Sequence, residues 1–327
     1  MDNCTLVETH CNATAPHTEL SLKTTFFAGY AFCMLVLLIA VGGLVLLTAV
    51  AVSLASPVPK IIRVFLVNLL AAGLVVASIC IAILVTAITL VLSDVEEPAR
   101  ILCALQLWVF GSGAVARLLS VAAFSIVVLR IVWFGKTTMK GAYIVLALAF
   151  LWITAMLLNI HIALPVVYAV QFMDGVACFP HYGEIHEAPR YVFTGSWIVF
   201  GGLTPLTIST VVPSVCLCYI KRHSITEGVD YKRAMARFAL FLVAGNLINL
   251  LGQTVPGIIA FFADAPGVYA AYTVTVVSLL PTPILVIIFL KPVRKKLVEV
   301  LTFNCAFVKK RRLARKMMST AGTATTA

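Results

Sequence analysis

The chain has 327 residues, of which 61% are hydrophobic and only 11% charged, with a mean hydropathy of +1.06 and a formal net charge of +11. A soluble domain of this length needs a far larger charged surface, which excludes a water-soluble globular fold. Nor is the positive charge a nucleic-acid footprint, because the basic residues lack interleaved aromatics on a soluble surface.

Residues 1–24 are polar and lack the apolar core of a cleavable leader. Seven apolar runs follow, at 25–54, 61–92, 102–134, 142–170, 191–220, 238–262 and 268–290. Each is long enough to cross a hydrocarbon core of about 30 Å, and none alternates with period two, so seven membrane-crossing helices are expected. Their connections are short, leaving no room for a separate soluble domain, and no solenoid repeat is present. After the last run, Pro292 suits the first turn of a new helix. Val293, Leu297 and Leu301 recur at i, i+4 and i+8, away from Arg294, Lys295 and Lys296. Residues 291–305 are therefore expected to lie along the inner leaflet, with Cys305 either a palmitoylation site or a free thiol. Residues 306–327 form a basic tail containing serine and threonine.

Basic residues collect on one side of the predicted bundle: Lys60, Arg63, Arg130, Lys140, Lys221, Arg222, Lys232, Arg233, Arg237, Lys291, Arg294 and the tail. The other side carries mostly acids. The positive-inside rule puts the N-terminus outside and the tail in the cytosol of a plasma-membrane protein. Sequons at Asn3 and Asn12 agree with an outside N-terminus. Cys103 and Cys178 both face the oxidising side and are expected to be bridged, while the pairing of Cys4 and Cys11 stays open. Cys33, Cys80, Cys216 and Cys218 fall within spans as packing residues.

This layout resembles a rhodopsin-like (class A) G-protein-coupled receptor over nearly the whole chain. Trp152 in "FLWITAMLLN" stands at the family's fourth-helix tryptophan, and Pro213 resembles its fifth-helix proline. "QTVP", ending at Pro256, and "PTPILV", with Pro283, stand for the sixth- and seventh-helix proline motifs. The stretches "GNLINLLGQTVP" and "LLPTPILVIIFLKPVRKKL" are similar to fish odorant-receptor-like and related orphan receptors. The resemblance implies a non-enzymatic chemosensory receptor without cofactor. Its implied partners are a small uncharged or hydrophobic ligand, membrane lipids, a heterotrimeric G protein and arrestin. Several motifs depart from the family pattern. In "NLLAAGL" glycine, Gly73, replaces the sodium-binding aspartate. The Asp-Arg-Tyr position reads Val127-Val128-Leu129, with Arg130 displaced. Thr282 and Val286 replace the asparagine and tyrosine of the seventh-helix motif.

Arg117 is the one deeply placed cation in the spans apart from His161, and a charge there needs partners inside the bundle. By family alignment it belongs opposite Gly73, where a tethered guanidinium takes the place of acid and ion. By helical spacing, Asn246, Asn249 and Gln253 share a face of the sixth run, and Thr275, Ser278 and Thr282 a face of the seventh. Two readings compete for this set: a polar hub that switches between receptor states, or static glue between helices. Pro213, Pro256 and Pro283 are expected to kink their helices. By alignment the ligand cavity is lined by Trp108, Phe110, Gly111, Ala114, Ile258, Phe261 and Tyr272, with His161 and Ser209 as polar contacts; the alternative is a collapsed aromatic core. Arg130, Lys221, Arg222, Lys232, Arg233 and Arg237 form the expected G-protein face. "GSGAVA" at 111–116 reads as close helix packing rather than a dinucleotide loop. The histidines and glutamates of "HYGEIHE" read as a solvated loop rather than a metal site. A signalling-silent scaffold and, less favoured, a transporter or channel subunit are the alternatives to a receptor.

Overall fold

The computed structural model describes residues 16–93, 100–135, 138–160, 169–173, 177–181, 192, 195–223, 232–245, 247 and 273–302. Helix α1 spans Pro16–Leu54, α2 Lys60–Ser93, α3 Arg100–Phe134 and α4 Gly141–Leu158. A hairpin of β1 (Ala169–Met173) and β2 (Ala177–His181) follows, antiparallel, with Phe172 opposite Cys178. A π-helical turn, Trp197–Leu203, leads into α5, Thr204–His223. Helix α6 covers 232–245, α7 Thr273–Phe289 and α8 Lys291–Thr302.

Five helices among the described residues are long and apolar enough to cross a membrane, or six if α7 and α8 are one bent span. The distribution of polarity agrees with a lipid environment. Arg117, Ser120, Ser125, Asn68 and Gln106 are buried, while Phe32, Val145, Phe150 and Ile126 lie exposed on the outside. A bundle in water would reverse that arrangement. The sixth apolar run is described only at its start, so a count of seven spans lies outside the described residues.

Helix α3 is the central post, packed against α2, α4 and α5, and 72% of its most apolar window is buried. Helix α4 is peripheral, at 17%. Close approach between α2 and α3 follows from Gly113, where a Cβ would stand 3.0 Å from Val76 and 3.2 Å from Val75. Gly135, at φ 64°, ends α3 in the left-handed conformation and returns its N–H to the carbonyl of Ile131.

Two boundaries differ from the apolar pattern. The run at 142–170 is not one helix: α4 stops at Leu158, and Ala169 and Val170 belong to β1. At that end Asn159 is a turn residue whose side-chain amide donates to the carbonyl of Ala155. The start of α5 is π-wound, with the N–H of Thr204 on the carbonyl of Val199. Pro205 has no N–H for the carbonyl four residues back, so the ladder is displaced by one residue there.

Candidate functional site

The polar centre is built from α3 and α7. Arg117 is 1% exposed. Its Nη2 donates to the main-chain oxygen of Ser278 at 3.1 Å and lies 3.5 Å from the hydroxyl of Thr282. Ser278 and Thr282 are themselves buried.

The main-chain oxygen is available because α7 breaks there. Residues 278–280 leave the helix, and Pro281 and Pro283 begin the second half, Pro281–Phe289. Neither proline can donate to the carbonyl one turn back, so tighter bonds take over: Leu279 N–H reaches Val276 and Leu280 N–H reaches Val277. The kink expected at Pro283 thus lies one turn earlier, and Pro281 shares in causing it. Arg117 anchors the broken turn.

Below this anchor, counting toward the C-terminal end of α3, α6 meets α7. A Cβ on Gly245 would stand 2.9 Å from the Cβ of Pro281, so the two backbones meet at the break itself. Phe124 of α3 and Phe238 of α6 pack edge to face at 5.6 Å between ring centres. Phe289 of α7 lies 5.8 Å from Phe238 and 4.9 Å from Phe241. Leu290 then leaves the helical region, and α8 turns by 104°. Val293 and Leu297 of α8 are buried, while Arg294 and Lys295 are exposed.

A second polar set clamps α2, α3 and α4 together. Asn68 Nδ2 donates to Ser120 Oγ at 2.8 Å, and its Oδ1 accepts the indole N–H of Trp152 at 2.9 Å. The Ser120 hydroxyl donates in turn to the carbonyl of Ala116. Each buried group thereby has a partner, as low polarity demands.

Other expected residues fall elsewhere. Gly73 does not face the guanidinium directly: among the described residues, Val45 of α1 is what comes within 4 Å of its Cβ position, at 3.8 Å. Helix α2 presents that position to α1 because Gly113 occupies its face toward α3. Trp108 is directed at α4, with its indole N–H on the carbonyl of Met156 at 3.0 Å. Gly111 also faces α4, since a Cβ there would collide with the carboxamide of Asn159. Ser209 returns its hydroxyl to Pro205 within α5 and is buried. These three are engaged in contacts within or between helices. Ala114 is buried and Phe110 half-buried against the main core. Pro213 lies buried inside a continuous α5. Arg130 donates to the carbonyl of Thr138 across the α3–α4 turn at 3.2 Å. Lys221, Arg222, Arg233 and Arg237 are exposed and Lys232 is half-buried. Cys80 and Cys216 are buried, but Cys33 and Cys218 are exposed and so do not pack inside the core.

Asn246, Asn249, Gln253, Pro256, Ile258, Phe261, Tyr272, His161, Asn3, Asn12 and Cys305 lie outside the described residues, as do the side chains of Cys103 and Cys178. The strand carrying Cys178 packs against α3.

No protein-family model matches the chain, and no curated protein matches it.

Proposed function

We propose that the chain is a seven-helix receptor of rhodopsin-like architecture, with its N-terminus outside the plasma membrane. It senses a small uncharged or hydrophobic ligand and passes occupancy to a cytosolic G protein by helix displacement. The observation supporting this most is the anchoring of the α7 break by Arg117. A buried cation on the central helix holds a broken neighbour whose lower half carries α8 and packs on α6 at Gly245 and Phe238. Releasing or re-forming one bond therefore reorients several elements at the end where the basic residues gather.

A signalling-silent scaffold is the second reading, favoured by Val127-Val128-Leu129 at the position of the family's Asp-Arg-Tyr and by the fully buried Val128 there. A G-protein activation assay in cells separates the two, run first without ligand and then against a panel of apolar odorants and lipids. The receptor reading expects a ligand-dependent or constitutive signal. Silence in both arms, with the protein at the surface, refutes it in favour of the scaffold.

A further inference from the structure

At the end of the bundle where α3 begins, α3, α4 and the π-helical turn Trp197–Leu203 pack together. Two buried polar atoms at the α3–α4 contact have no hydrogen-bond partner: Ser112 Oγ, in a residue 3% exposed, and Asn159 Oδ1, in one 1% exposed. Both belong to the side of α3 that faces α4: the carboxamide of Asn159 lies on Gly111, and Ser112 follows Gly111 in the chain.

The state of Ser112 is unusual within this protein. Hydroxyls in apolar helices ordinarily close onto the carbonyl four residues back. Thr48, Thr86, Ser120, Ser125, Ser209 and Ser214 all do so. Ser112 does not, and by helical spacing it shares the face of α3 that Val115, Ala116 and Leu119 turn toward Leu151 and Ala155 of α4. Asn159 uses its amide N–H on Ala155 and keeps its carbonyl oxygen unused. A buried acceptor beside a buried hydroxyl matches a group that both donates and accepts.

The surroundings restrict that group further. Residues 101–116, 149–160 and 195–209 contain no Asp, Glu, Lys, Arg or His, so these segments themselves offer no charge to pair with an ion. Near it on the outside, Met156, Ile160, Ile198 and Val199 are exposed apolar side chains. Trp108 bridges α3 to α4 at the same contact, with its indole N–H on the carbonyl of Met156.

We propose that this junction binds a neutral, membrane-dissolved alcohol. Its apolar body lies against α4 and the π-helical turn, and its hydroxyl donates to Asn159 Oδ1 while accepting from Ser112 Oγ. The π-helical turn is the element that yields to admit it, since its displaced ladder is the least regular part of the wall. The inference rests on the chain lying in a membrane. It does not depend on coupling to a G protein, and the experiment below reads binding alone.

The full-length chain in nanodiscs of zwitterionic lipid is labelled with a diazirine-bearing, clickable hexadecanol, with hexadecanol or hexadecane as competitor. Labelled peptides are expected within 101–116, 149–160 or 195–203, protected by hexadecanol and not by hexadecane. In Ser112→Ala, with an unchanged melting temperature, the competing concentration should rise about tenfold, the equivalent of one hydrogen bond. Asn159→Leu should abolish the preference for alcohol over alkane. Equal competition by the alkane, labels mapping elsewhere, or an unchanged response in a folded Ser112→Ala would overturn the proposal. Should Asn159→Leu fail to fold, the serine variant decides alone.

Discussion

Replacing Arg117 by methionine tests the central contact most directly. The bond to Ser278 O is charge-assisted and, at 3.1 Å, contributes about 1.5–3 kcal/mol. The Thr282 hydroxyl, at 3.5 Å, is at the limit of hydrogen bonding and adds little. Against this stands the cost of keeping a cation inside a membrane helix, at least about 2.5 kcal/mol, which methionine removes. The two terms nearly cancel, so the melting temperature should change little. The constraint on α7 does not cancel. If the bond exists in only one of two arrangements, losing it shifts their equilibrium by roughly ten- to a hundredfold. Two measurements follow: ligand-free G-protein activation per receptor at the surface, and amide hydrogen exchange across residues 278–290. Arg117→Met should raise both basal signal and exchange, and Arg117→Lys should fall between, having charge without the planar fork. Basal signal and exchange both at the wild-type level, in a protein of unchanged stability, would refute the switch and leave the contact as static glue.

Three further outcomes are expected. Gly245→Ala drives a Cβ into Pro281 at 2.9 Å, and both atoms are fixed to backbone; thermal melting should show a loss of about 1–3 kcal/mol, with altered exchange at the α7 break. Asn68→Leu removes the acceptor of the Trp152 indole N–H and the donor to Ser120 Oγ, while Ser120 keeps its own bond to Ala116, and should cost about 1–2 kcal/mol in detergent unfolding while leaving exchange across α7 unaltered. Glu299 is held below the ordinary carboxylate value by its bond to Lys296, against a smaller opposing effect of desolvation. A depressed acid stabilises above its unfolded value and stops doing so as pH falls through its lower folded value. Any contribution of this pair to α8 should therefore begin to decline as pH falls below about 4.5 and be absent in Glu299→Gln, with the melting temperature near pH 7 unmoved because the pair is exposed.

The sequence by itself determined the class of solvent and most helix positions. Runs of about 20 apolar residues without alternation have no stable state in water, and in lipid their backbone must bond internally, so the helices followed from composition alone. It also marked Arg117 as inward-facing, because a cation at that depth cannot be left to hydrocarbon. The partners of that cation were only partly legible. Ser278 was expected through its hydroxyl, yet it is the main-chain oxygen that accepts, freed by a break one turn before the proline first held responsible. Helical spacing places side chains on faces but does not say which backbone carbonyl a kink will expose. The same limit explains Trp108, Gly111 and Gly73. The rotation of α3 against α4, and of α2 against α1, decided what each of them touches. Close approaches at Gly111 and Gly113 accompany those rotations, because the missing side chain lets a neighbouring helix come near. A glycine in the sequence shows that an approach is allowed; only the packed bundle shows which neighbour takes the space.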